Sequence, residues 1–112
     1  MRDPYRKLQY YVQRKGQTLR RHHLALTDDL LPRLRVDLAA PLAGMGERRW
    51  LEIGFGGGEH LAHQAELHPE VSLLGAEPFI NGVAKLLALI EAKQLGNVRI
   101  HDGDARYLLE AL

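Results

Sequence analysis

A chain of 112 residues is long enough for about one small domain. Its hydrophobic fraction of 46% and charged fraction of 26% are those of an ordinary globular protein, and the absence of cysteine excludes disulfides, thiolate zinc sites and cysteine nucleophiles. No apolar run approaches the roughly 18 residues of a membrane span, and the opening "MRDPYRKLQYYVQRKGQ" has no secretory apolar core, so a soluble, cytoplasmic protein without a membrane partner is expected.

The first element in chain order is a basic arm. Up to Arg35 there are nine Lys and Arg against three Asp, a balance of +6, whereas the remainder holds six bases and eleven acids, a balance of −5. A basic arm on an acidic body suits a polyanionic partner. Tyr5, Tyr10 and Tyr11 interleave with the bases. Flat rings beside cations can stack on nucleobases while the cations hold phosphates. A solvated tail is the competing reading. From Arg2 to Arg21 the arm is expected to be poorly ordered without RNA. Leucines 24, 30, 31 and 34 predict an amphipathic helix over 21–34, with Pro32 kinking or ending it. "DLAAPLAGMGER" then reads as a connector. The chain thus divides into an arm and helix, 1–45, and a second part, 46–112.

From Arg49 the pattern changes. "RWLEIG" predicts a strand, and "GGEHLAHQAELHP" a helix with Leu61, Ala62 and Ala65 on one face and Pro69 closing it. "VSLLGAE" predicts a second strand. "INGVAKLLALIEAKQLGN" predicts a helix with Val83, Leu86, Leu87 and Ile90 on one stripe and Gly96 at its stop. "VRIHDGD" predicts a third strand, and "ARYLLEAL" begins another helix. Strands alternating with helices imply an α/β fold with a doubly wound parallel sheet, of which these are the first three strands. In the strand order 3-2-1 the segment Trp50–Ile53 is expected to be an open edge through which the chain self-associates or aggregates, unless the helix over 21–34 covers it.

The stretch "LEIGFGGGEH" opens the strand-to-helix turn. Gly54, Gly56 and Gly58 form a G-x-G-x-G pattern, in which glycine permits positive φ and lets a ligand approach the main chain. The helix start that follows offers unpaired N–H groups. A dinucleotide-binding turn wants G-x-G-x-x-G, but the last glycine position is Glu59, which would repel a pyrophosphate. S-adenosylmethionine has no phosphate and carries an ammonium that Glu52 suits. Ligands of such sheets bind at the carboxyl ends of the strands, where three acids stand: Glu52, Glu77 and Asp104. Glu77 has the spacing of an acid that accepts both ribose hydroxyls. Asp104 can accept from the adenine amino group while the Ala105 N–H reaches the ring nitrogen. Each acid also has a structural use: Glu52 paired with Arg49, Glu77 in a turn, Asp104 as a helix N-cap. His60 and His63 lie three apart on the predicted helix, but spacing places no third ligand, and no metal is expected.

Three stretches, "LEIGFGGGEHLAHQAELHP", "LLGAEPFINGVAKLL" and "NVRIHDGDARYLL", resemble the bacterial tRNA (guanine-N7-)-methyltransferase family, as does the arm "QRKGQTLRRHH…LLPRLRVDL". The glycine turn is common to many class I methyltransferases; Phe55, the "GAEPF" context and the arm make the resemblance specific. It runs from about Arg14 to the end. It implies a Rossmann-like class I methyltransferase fold and S-adenosyl-L-methionine as cofactor. It further implies methylation at N7 of a guanine in the tRNA variable loop. By it Glu52, Gly54, Gly56, Glu77, Asp104 and Ala105 are the expected cofactor-contacting residues. In the basic arm, Arg14, Lys15, Arg20 and Arg21 are the expected RNA-binding residues. The family's pattern continues with a strand ending in an Asp-Pro-Trp-Pro-like motif, whose acid lies at the methyl-transfer site. The catalytic residues are therefore expected beyond Leu112, and the chain is expected to be an N-terminal fragment inactive by itself. An NAD(P)-binding oxidoreductase domain and a non-catalytic RNA-binding fragment are the alternative readings.

Overall fold

The computed structural model describes residues 20–112. Arg14, Lys15 and the three arm tyrosines lie outside the described residues. Helix α1 is helical across residues 20–29 and is followed by α2 (Leu31–Leu34), β1 (Arg49–Ile53), α3 (Glu59–Leu67), β2 (Ser72–Ala76), α4 (Ile80–Lys93), β3 (Val98–His101) and α5 (Ala105–Ala111). The expected single helix over 21–34 is two. It breaks at Leu30, and Pro32 falls in the first turn of α2, where a missing N–H leaves no bond unmade. The stripe also differs from expectation. Leu26 and Leu31 are buried, whereas Leu24 is 55% exposed, because it lies on the far side of α1 from Leu26. Arg20 and Arg21, expected at the end of a poorly ordered arm, belong to α1. No breaker interrupts "LRRHHLALTDD".

The three strands are parallel in the order β1-β2-β3, with Leu51 opposite Leu74 and Ala76 opposite His101. Side chains alternate across the sheet, so two cores form. On one face Leu73, Val98 and Ile100 meet Leu61, Ala65, Val83, Leu86, Leu87 and Ile90 of the two crossover helices, joined by Leu26 and Leu31. The other face holds a smaller cluster of Val36, Leu74, Ala76 and Leu108. The helical positions expected to face inward on α3 and α4 do so.

The two sheet edges differ. Beside β3 the chain after α2 runs parallel, and the Val36 N–H bonds Ile100 O at 2.8 Å. Arg35 reaches on to Asp102 through two 2.9 Å bonds. The β1 edge has no strand beside it among the described residues, and Trp50, Leu51 and Ile53 are 39%, 40% and 52% exposed. The α1–α2 segment therefore covers the β3 side and not this edge.

The stop of α4 departs from expectation as well. Gln94, not Gly96, takes the left-handed conformation, with φ 52°. The Leu95 N–H then closes on Ile90 O at 3.0 Å while Leu95 packs on the core, and that contact holds a non-glycine residue where glycine is commoner. Just beyond, Asn97 Nδ2 donates to the carbonyls of Ala65, His68 and Val71 at 2.9–3.0 Å, tying the end of α3 to the start of β2. Asn97→Ala would leave those carbonyls without this donor and should cost about 1–3 kcal/mol. Urea unfolding monitored by circular dichroism measures the loss, and an unchanged midpoint would contradict this role.

Candidate functional site

The turn after β1 is built from three left-handed glycines: Gly54, Gly56 and Gly58 have φ of 70°, 61° and 80°. Few other residues tolerate that region. The loop is anchored below. Gly54 N–H bonds Ala76 O at 2.7 Å, and the Phe55 ring is buried beneath the turn. Gly75 makes room for that ring, since a Cβ there would stand 2.7 Å from Phe55 Cδ2 and 2.6 Å from Leu61 Cδ2. On the side of α4 the fit is equally close. A Cβ on Gly82 would come within 2.1 Å of Gly56 O, and one on Gly58 within 2.7 Å of Leu86. Outward it is different: a Cβ on Gly54 or Gly56 would meet nothing within 4 Å. Those two glycines present bare backbone to open space at the carboxyl end of the sheet.

Glu77 stands at the end of β2, next to this loop, and is only 5% exposed. Its Oε1 accepts the Gly56 N–H at 2.8 Å and its Oε2 accepts the Phe79 N–H at 3.1 Å. One carboxylate thus joins the glycine loop to the start of α4. Each oxygen retains a second lone pair, so the group can accept further hydroxyls.

Glu52 lies on β1 opposite Gly75, one strand away. Its partner is His60 of α3, with Nδ1 3.0 Å from Oε1, and not Arg49. The other oxygen, Oε2, is buried without a hydrogen-bond partner among the described residues. A carboxylate oxygen so placed has an unmet demand for a donor. His63 does not join this pair, and among the described residues no three His, Asp or Glu side chains converge as metal ligands.

Asp104 follows β3 and caps α5. Its Oδ1 accepts the Arg106 N–H at 2.9 Å, and the Arg106 guanidinium binds both oxygens, with the closest contact 2.7 Å. Those Arg106 hydrogen bonds, side chain first and backbone second, hold the Asp104 carboxyl down to about 2. The cap was expected and the Arg106 fork was not. Ala105 occupies the first position of α5, where a helical N–H has no intrahelical acceptor. His101, unnoticed in the sequence, is buried and sets its Nε2 2.9 Å from Asp104 O, supporting the turn from below. The Arg35–Asp102 ion pair was likewise not foreseen, since it joins residues far apart in the chain.

The structure therefore brings Gly56 and Glu77 into direct contact. Glu52 lies on the β1 side of them, and Asp104 follows β3 on the other side. Glu59, the acid in the last glycine position of the dinucleotide pattern, folds back over the loop. Its Oε1 lies 2.9 Å from where a Cβ on Gly57 would be, so negative charge stands beside the loop at the first turn of α3, where an anionic group would otherwise be favoured.

Comparison with known proteins places similarity over the same region. A family described as "Putative methyltransferase" matches residues 47–112. The chain is 50% identical over 109 residues to a tRNA (guanine-N(7)-)-methyltransferase of Rhodopseudomonas palustris (strain BisB18), covering 89% of this chain and 43% of that protein. It is 48% identical to the protein of the same name from Paramagnetospirillum magneticum (strain ATCC 700264 / AMB-1), covering 92% and 48%. With the Chelativorans sp. (strain BNC1) protein of that name it shares 43% identity, covering 99% and 52%. The chain spans about half the length of the curated relatives it matches.

Two outcomes follow from the geometry. Gly82→Ala should cost about 1–3 kcal/mol, because α4 and the loop must separate to admit the methyl. Gly96→Ala, where a Cβ meets nothing within 4 Å, should be close to neutral in the same thermal melts. Equal costs would contradict the packing described. The second outcome is a titration. The Asp104 carboxyl is depressed in the folded chain, so its contribution is present above the ordinary value of 3.8 and is lost as pH falls through about 2. Arg106→Ala should move the Asp104 midpoint up towards 3.8, read by carboxyl carbon NMR.

Proposed function

Since the chain belongs to the methyltransferase family whose pattern it matches over residues 47–112, we propose that it carries the S-adenosyl-L-methionine-binding part of a tRNA (guanine-N7-)-methyltransferase. The observation that carries the cofactor reading is the pairing of two bare, left-handed glycines with the buried Glu77 beside them. The substrate reading rests on the relatives' names and on their similarity to 89–99% of this chain.

The residues present fit the cofactor group by group. Glu77 accepts the ribose hydroxyls on its remaining lone pairs, its carboxylate already oriented by Gly56 and Phe79. Glu52 has an oxygen without a donor and serves the ammonium, while His60 holds its other oxygen. The open faces of Gly54 and Gly56 admit the amino-acid portion against bare backbone. Asp104 and the Ala105 N–H receive the adenine edge, with the Asp104 oxygens shared with Arg106. When bound, this cofactor supplies a methyl group on a sulfonium, and the acceptor is the guanine N7. That nitrogen is already nucleophilic, so the chain's task is to orient and desolvate rather than to activate. The catalytic acid of the family pattern is not among these residues.

On the RNA side, Arg14, Lys15, Arg20 and Arg21 hold phosphates, and the place of action is the cytoplasm. No helix among the described residues is long and apolar enough to cross a membrane. The oxidoreductase alternative is disfavoured by the Glu59 carboxylate over the loop. A purely RNA-binding role leaves the open glycine face without a use.

Titration calorimetry tests the reading. S-adenosylhomocysteine should bind, and Glu77→Ala should weaken it by about 1.5–3 kcal/mol through loss of a charged acceptor. Tight NAD binding without S-adenosylhomocysteine binding would overturn it.

A further inference from the structure

Beside the glycine loop lies a groove that the cofactor has no use for. One wall is α1, with Arg20, His23 and Thr27; the other is the start of α4, with Ile80, Asn81 and Lys85. No acid among the described residues lines it. Neither Arg20 nor Lys85 has an ion-pair partner among the described residues, whereas Arg35, Lys93 and Arg106 each face an acid. Glu59 and Lys85 share the lining of the neighbouring cavity but form no ion pair. At Ile80 the groove adjoins an exposed apolar pair. Phe79, the residue before Ile80, is 75% exposed, and Ile80 is 51% exposed. A phenylalanine that open contributes little to the core. Yet it is firmly placed, since its N–H is bonded to Glu77 Oε2 at 3.1 Å and Pro78 precedes it.

We propose that this groove is a docking surface for a single-stranded stretch of the RNA substrate, with phosphates on Arg20 and Lys85 and an unpaired base stacked on Phe79. The proposal rests on the tRNA reading above and adds a place to it. Two cations without an ion-pair partner among the described residues attract a polyanion. An exposed ring within the same surface offers the flat platform that unpaired bases use, and His23, Thr27 and Asn81 supply hydrogen-bonding groups between them. Because Phe79 is bonded through its main chain to Glu77, a base stacked on its ring is held next to the proposed cofactor site.

The test uses the 112-residue chain saturated with S-adenosylhomocysteine, and a fluorescein-labelled, unmodified tRNA transcript followed by anisotropy across a salt series. Lys85→Ala should weaken binding severalfold and lower the salt slope by about one. Phe79→Ala should weaken it about tenfold with the slope unchanged. Lys93→Ala, at the other end of α4 and paired with Glu66, should behave as the parent chain. Phe79→Trp should show fluorescence quenching on RNA addition that the parent chain, with Trp50 alone, does not. Thermal melts check that each variant is folded; all three positions are exposed. Parent-like affinity of Lys85→Ala and Phe79→Ala, or an unquenched Phe79→Trp, would overturn the groove and leave the tRNA reading standing. A parent chain that binds S-adenosylhomocysteine but no tRNA at low salt would overturn both.

Discussion

A single buried carboxylate organises this molecule's carboxyl-terminal sheet edge. Glu77 is the only buried acid among the described residues, and it is tolerable there because two main-chain N–H groups meet its two oxygens. Those donors come from opposite sides: Gly56 from the loop after β1, Phe79 from the start of α4. The loop conformation, the entry of α4 and the position of the acid are thus one constraint. Gly82 follows from it, since the loop carbonyl of Gly56 occupies the space its side chain would take. Gly58 and Gly75 follow too, by letting Leu86, Phe55 and Leu61 close beneath the loop. Gly58, Gly75 and Gly82 are bare because packed protein is in the way, and Gly54 and Gly56 are bare with space before them. Only the second kind speaks for a ligand.

That distinction could not be read from the sequence, where all of these glycines look alike. What was legible was local. The 3.6-residue spacing on α3 and α4 and the short apolar runs of the three strands placed each element and the order of the sheet. Features that depend on distant residues were not legible. Leu24 sits on the same sequence pattern as Leu30, but which stripe of α1 is buried is decided by α4 against it. Gln94 is an unusual left-handed residue, held by Leu95 in the core. Asn97 looks like a turn residue and proves to be a tie across three carbonyls of α3 and its connection. The same holds at the site. The three acids were visible by their place after each strand, but their partners His60, Arg106 and the Gly56 N–H come from folding.

The two edges of the sheet express the same economy differently. At β3 the chain leaving α2 supplies a parallel bridge, and Arg35 fixes it to Asp102, whose carboxyl is held below the ordinary range chiefly by that hydrogen-bonded guanidinium. At β1 the apolar Leu51 and Ile53 stand open on the face that carries the smaller core. In this chain the charge is also divided: up to Arg35 there are nine Lys and Arg against three Asp, and after it six against eleven acids.

The central claim is that the loop fixed by Glu77 is the place where S-adenosylmethionine binds. Amide chemical-shift mapping with S-adenosylhomocysteine added to the isotopically labelled chain tests it most directly. The account predicts that the resonances of Gly54, Gly56, Phe79 and Ala105 move together and saturate with one affinity, while those around His68 at the opposite end of the sheet stay in place. Saturating shifts centred elsewhere, with the Gly56 and Phe79 amides unmoved, would contradict it.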